Sequence, residues 1–136
     1  MSLAATDRLA ILDVVTRADE AASRRDADAY VALFTPDAVL DGTQGRHAGQ
    51  TALRASVGPI WAGEGPATLH LTLNPVIEND DADDTGTEAV VRSVMLIIDL
   101  VPPITIRAAV AVTQTLRRDA GQWRIARRTV ADPGMS

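Results

Sequence analysis

The residues best suited to chemistry gather around His70, one of only two histidines in the chain. It sits in the run Thr68-Leu69-His70-Leu71-Thr72-Leu73-Asn74-Pro75, where strand alternation places His70, Thr72 and Asn74 on one face and three leucines on the other. The leucine face is expected to pack, and the face carrying an imidazole, a hydroxyl and an amide to line a pocket. An imidazole changes protonation near neutral pH without help, which makes His70 a candidate general base or acid. His47, in a Gly-rich polar turn, has no such setting. Asp19 falls between Leu12 and Val15 on a helical wheel, inside an apolar arc, so its carboxylate must reach a polar partner. One turn before Ser23, it can form an acid-base pair with His70 or, at a wet rim, pair with Arg8.

Other side chains offer supporting roles. Tyr30, the single tyrosine, can donate to a carbonyl or enolate oxygen or pack in the core. Strict alternation from Trp123 and Ile125 turns Arg127 inward, with Arg128 competing for the same role as an anion or carbonyl anchor. Asp99 is expected at a solvent-exposed strand end beside Pro102-Pro103. The acidic stretch Asp81-Ala82-Asp83-Asp84-Thr85-Gly86 imitates the start of a calcium loop, but Arg92 stands where the twelfth-position Glu is required, so it reads as a hairpin turn. The sequence contains no phosphate-cradling glycine loop, dinucleotide fingerprint or serine nucleophile motif.

Positioning these residues takes helices first and strands afterwards. Thr6 or Asp7 can cap a helix in which Leu9, Ile11, Leu12, Val15, Ala18 and Ala22 recur at helical spacing to about Arg24. Asp26 to Phe34 fits a short second helix ended by Thr35-Pro36-Asp37, and Gly49 to Trp61 a third. Between them lie a short strand at Ala38-Val39-Leu40 and a turn over Asp41 to Gly45. From residue 67 onward the pattern is a four-stranded antiparallel meander near 67–78, 88–101, 104–118 and 122–131. In its third strand Ile104, Ile106, Ala108, Val110, Val112 and Leu116 share the core face, while Arg107, Thr113 and Thr115 share the other. This order predicts an α+β domain with its helices on one side of the sheet.

Composition narrows the function classes. A chain of 136 residues suits one domain, spanning 1–136, and can bury about two thirds of its unfolded surface. With no cysteine it has no disulfide, thiolate nucleophile or zinc-finger site, and neither a metal nor a cofactor is expected. A net charge of −5 disfavours nucleic acid. The arginines near the end alternate with apolar positions and lack stacking aromatics. No run approaches membrane-spanning length and no signal peptide is evident, so a cytoplasmic protein is expected. Ala109, Ala111, Thr113 and Thr115 form a small-residue outer surface fit for a homodimer.

The order of elements resembles the SnoaL-like branch of the nuclear transport factor 2-like superfamily, also called cystatin-like. The resemblance is carried by Asp7-Arg8-Leu9-Ala10-Ile11, Tyr30 to Ala38, the Gly49 helix start, Thr68 to Asn74 and Gly121-Gln122-Trp123-Arg124-Ile125. It implies a cone-shaped α+β fold, three N-terminal helices packed on a curved antiparallel sheet, around a mostly apolar pocket for a small apolar or carbonyl-containing ligand. In the dehydratase and dehydrochlorinase relatives an Asp near the end of helix one holds a strand histidine that takes the substrate's proton. His70 matches that histidine, but the Asp position is Ser23, and serine lacks the charge that raises imidazole basicity. The relatives' spacing after the Trp favours Arg128 over Arg127. The expected catalytic residues are therefore His70 and Asp19, with Ser23, Tyr30, Asn74 and Arg128 binding ligand. The resemblance implies a cofactor-independent isomerase, cyclase or dehydratase. A non-catalytic carrier of a small apolar ligand and a dimeric structural or partner-binding domain are the alternatives.

Overall fold

The computed structural model describes residues 3–78 and 86–134, so the expected acidic turn lies outside the described residues except for Gly86. Helix α1, Ala5–Arg24, buries Ile11, Val15, Ala18 and Ala22. Leu9, expected on that stripe, is 70% exposed, because two residues from Ile11 is more than half a turn around the helix. Neither Thr6 nor Asp7 caps α1: Ala4 is the N-cap and contributes no side-chain bond. Asp7 instead accepts the Trp123 indole N–H at 3.1 Å and Arg118 at 2.7 Å. The Trp123 bond chiefly, with Arg118, holds its carboxyl below the ordinary value. α1 ends at Arg25, whose left-handed backbone (φ 55°) turns its N–H back to the carbonyls of Ala21 and Ala22.

Helix α2, Ala27–Val31, is capped by Asp26, which accepts the Ala29 N–H at 3.0 Å. It is shorter than expected because Thr35 precedes a proline, which favours extended backbone. Phe34 accordingly opens strand β1, Phe34–Gly42. The expected turn after it proves to be a hairpin into β2, Gly45–Ala48, with Leu40 opposite His47. Gly49, at φ 87°, then starts helix α3, Gln50–Ala62, which buries Leu53, Val57 and Trp61.

Four long strands follow, β3 Thr68–Ile77, β4 Glu88–Asp99, β5 Thr105–Asp119 and β6 Gln122–Ala131. The six strands form one curved sheet in the order β2-β1-β6-β5-β4-β3. All neighbours are antiparallel except β1 and β6. The expected meander is thus extended by two strands at one edge. The resulting fold is mixed α+β, with three helices among the described residues.

Side-chain parity departs from expectation at two places. Leu69, Leu71 and Leu73 do not pack inward; they are exposed on the outer sheet face, while Thr68 and His70 are buried under α1. On β5, Val110, Val112, Gln114 and Leu116 are buried, but Ile104 and Ile106 are 68% and 64% exposed. The cause is a bulge: Ile97 faces Ala108 and Ile98 faces Ile106, leaving Arg107 without a strand partner. The bulge reverses parity, sending the two isoleucines outward and letting Arg107 reach the inner side. No helix among the described residues is long and apolar enough to cross a membrane.

This burial makes a direct comparison possible on α1. Ile11→Ala, at a fully buried position, should cost about 2–5 kcal/mol in urea unfolding. Leu9→Ala should cost about 0.5 kcal/mol or less.

Candidate functional site

Between α1, α2 and α3 on one side and the inner faces of β4, β5 and β6 on the other lies a cavity of about 280 Å³. Its walls are mainly apolar, with Val57, Trp61, Met95, Ile97 and Val110 prominent, and Tyr30, His47, Glu64, His70, Arg107 and Arg128 add polar groups. Such a lining, with a small number of convergent polar atoms, is the usual make-up of a small-molecule site.

His70 lines this cavity from β3, and its Nε2 lies 2.7 Å from Oε1 of Glu64. The His70 side chain is buried, 4% exposed, and that of Glu64 nearly so, at 12%. Thr68 Oγ1 donates to the same carboxylate oxygen at 3.3 Å. The Glu64 carboxylate oxygen is placed to accept from an Nε2–H, the tautomer in which Nδ1 is the ring's acceptor. Nδ1 has no hydrogen-bond partner among the described residues. Glu64 follows α3 directly, in Gly63-Glu64-Gly65-Pro66, a stretch that reads only as a chain break in the sequence. A carboxylate bracketed by glycines six residues before the strand histidine was the signal available.

The expected pair of Asp19 and His70 does not form. Asp19 is spent on Arg128, whose Nη2 donates to Oδ1 at 2.7 Å, and on the Thr72 hydroxyl, which donates to Oδ2. Both ends of the ion pair are almost completely buried, at 4% and 3% exposure. Arg128 also donates to Gln114 Oε1 at 3.2 Å and touches Met95 sulfur at 3.4 Å. Desolvation of the cation is outweighed, in the alkaline range where it would titrate, by the Tyr30 phenolate and by the Asp19 carboxylate, which leaves the guanidinium pKa raised. Arg128, not Arg127, faces inward, because a bulge between the Thr115–Arg127 and Leu116–Ile125 pairs breaks the alternation. Arg127 pairs with Asp41 on the outside at 3.1 Å.

The remaining expected residues divide. Tyr30 lines the cavity, edge-on to Trp61 with ring centroids 5.3 Å apart. Burial, in the first place, raises its phenol above the ordinary value, so at neutral pH it is a neutral donor. Ser23 does not line the cavity. Its hydroxyl accepts the His70 backbone N–H at 2.8 Å and is within reach of the Asp19 carbonyl, 2.9 Å, and the His70 carbonyl, 3.2 Å. It holds the strand rather than a ligand. Asn74 is likewise outside: a register shift between Leu73 and Val76, with Asn74 at φ 52°, leaves it exposed and away from the cavity. His47 and Arg107 both line the cavity, and Asp99 lies 3.9 Å from Arg107. Among the described residues no group of three His, Asp or Glu side chains is placed to hold a metal ion.

Two measurements follow from this geometry. Asp19→Ala leaves a buried guanidinium without its counterion and should cost about 3–5 kcal/mol, most of it recovered in Asp19→Leu/Arg128→Met. Denaturant unfolding of the single and double variants checks this. Tyr30 alone contributes a tyrosinate signal, so spectrophotometric titration of the native protein should show ionisation above the ordinary 10.0. The raised value stabilises the fold below that pH, and the contribution is lost as alkalinity rises through the native pKa.

Comparison with known proteins agrees with the architecture. A protein with a cystatin-like fold from Nostoc punctiforme superposes with a TM-score of 0.86 at 23% identity, over 98% of this chain and 96% of that one. An NTF2-like protein with a cystatin-like fold from Novosphingobium aromaticivorans gives 0.80 at 20% identity, over 96% and 84%. The hexachlorocyclohexane dehydrochlorinase LinA-type3 from Novosphingobium barchaimii gives 0.77 at 16% identity, over 93% and 89%. These likenesses concern the fold. No match was found among curated proteins. The model of the SnoaL-like domain family matches residues 4–129, nearly the whole chain, and the protein therefore belongs to the SnoaL-like family within the NTF2-like, cystatin-like fold.

Proposed function

We propose that the cavity binds a small, mostly apolar, carbonyl-containing molecule and moves a proton on it without a cofactor, as an isomerase, cyclase or dehydratase does. The observation that carries this reading is the largely buried Glu64–His70 pair in a mainly apolar wall. Nδ1 of His70 takes the proton beside the carbonyl or leaving group. Glu64 holds the ring through Nε2 and stabilises the imidazolium that forms. Tyr30, neutral at working pH, and Arg128 donate to the oxygen on which charge develops. Asp19 acts at one remove by holding Arg128 in place. Support for the reaction class comes from the dehydrochlorinase among proteins of this fold, whose name describes an elimination.

The test is exchange chemistry rather than a guess at the natural substrate. A panel of small cyclic and aromatic ketones incubated with the protein in deuterated water should show enzyme-dependent deuteration beside the carbonyl. His70→Ala should lower that rate about 10²–10⁴-fold, the usual contribution of a positioned base. Binding of the ketones with no exchange above solvent would favour the non-catalytic carrier.

A homodimer through the outer sheet face is the second part of the proposal. Leu69, Leu71 and Leu73 on β3 and Ile106 on β5 are exposed apolar residues of the outer face, with β4 between the leucines and the small residues of β5. Light scattering should give a dimer mass that falls to the monomer in Leu71→Lys.

A further inference from the structure

Glu64 sits in a segment poorly equipped to hold it. Gly63 and Gly65 flank it, Gly65 at φ 97°, and neither has a side chain with which to anchor the chain. Its main-chain bonds are a helix end unravelling: Glu64 N–H reaches the Trp61 carbonyl at 3.1 Å and Gly65 N–H the Ala62 carbonyl at 3.4 Å. The carbonyls of Gly63 and Gly65 lie past the helix, with no intrahelical partner. A carboxylate held 2.7 Å from an imidazole nitrogen requires a better-defined backbone than this.

Two arginines supply it from opposite sides. Arg25 Nη2 donates to the Gly65 carbonyl at 2.5 Å, and Arg107 Nη2 donates to the Gly63 carbonyl at 3.1 Å. Each reaches the turn through a backbone irregularity. Arg25 leaves α1 at the left-handed residue that ends the helix, two positions after Ser23, whose hydroxyl holds the His70 amide. Arg107 leaves β5 at the bulge that gives it no strand partner, with Asp99 3.9 Å from its Nη1. The end of α1 thus holds both members of the pair, His70 through Ser23 and the Glu64 turn through Arg25.

We propose that Arg25 and Arg107 clamp the main chain on either side of Glu64 and are the positioning residues of the Glu64–His70 pair. The inference rests on the pair being the working site. Neither arginine touches the carboxylate; each acts by fixing the peptide units beside it. The planar fork of guanidinium suits a single carbonyl at fixed angle better than a flexible ammonium does.

The test reads the His70 ring directly. Long-range proton–nitrogen NMR of ¹⁵N-labelled protein reports which ring nitrogen carries the proton, and in the native protein it should be Nε2. Glu64→Ala should remove that preference. Arg25→Met/Arg107→Met should reproduce most of the Glu64→Ala change, the corresponding lysine variants less of it, and neither set should change the ring further when added to Glu64→Ala. A general loss of stability would not produce this dependence on Glu64. If the double methionine protein does not fold, the single lysine variants carry the same comparison. Native ring signals in the arginine variants, alongside a clear Glu64→Ala effect, would overturn the clamp and leave the pair intact. Native ring signals in Glu64→Ala would overturn both.

Discussion

The buried ion pair between Asp19 and Arg128 sets the terms for the rest of the molecule. Removing two charges from water costs several kcal/mol per ion, so their remaining hydrogen-bonding capacity has to be met inside the protein. Thr72 and Gln114 meet it from β3 and β5. The inner face of β3 therefore carries Thr68, His70 and Thr72, with Leu69, Leu71 and Leu73 turned outward, while Ile77 at the far end of the strand stays in the core. The same pair fastens the Asp19 turn, in the C-terminal half of α1, to β6. With that turn fixed, Ser23, one turn later, lies against the His70 backbone, and the end of the helix against the Glu64 turn.

A division of labour between two carboxylates follows. Asp19 is fully committed to Arg128 and Thr72, so the charge that orients His70 has to come from elsewhere, and Glu64 supplies it from the turn after α3. Drawing the carboxylate from a turn rather than a helix leaves its position dependent on main-chain bonds outside any element. The cavity gathers a ring nitrogen with no partner, a neutral phenol and a compensated guanidinium within apolar walls. Beside apolar walls electrostatic interactions act more strongly than at the open surface.

Much of this was legible in the sequence. Alternation placed His70 inward, the helical wheel marked Asp19 as a carboxylate in need of a buried partner, and the strand boundaries of the C-terminal half needed little adjustment. What escaped was local irregularity. Bulges carry no strong residue signature: two of them turned Arg107 inward and removed Asn74 from the cavity wall, and a third set Arg128 inside, which strict alternation missed and the family resemblance favoured. The leucines of β3 misled because three large apolar residues in alternation suggest a core face, whereas here the buried charges claim the inside. Glu64 escaped because glycine and proline around it read as a break between elements. The partner of Asp19 was unreadable in principle, since Arg128 lies 109 positions away and only the fold brings them together.

The central claim concerns one proton. Joint neutron and X-ray diffraction from the deuterated protein at neutral pH locates it without a substrate in hand. The account predicts a deuteron on Nε2 of His70 directed at Oε1 of Glu64, a bare carboxylate, and no deuteron on Nδ1. A deuteron on Nδ1 with Nε2 bare, or one carried by Glu64, would contradict it.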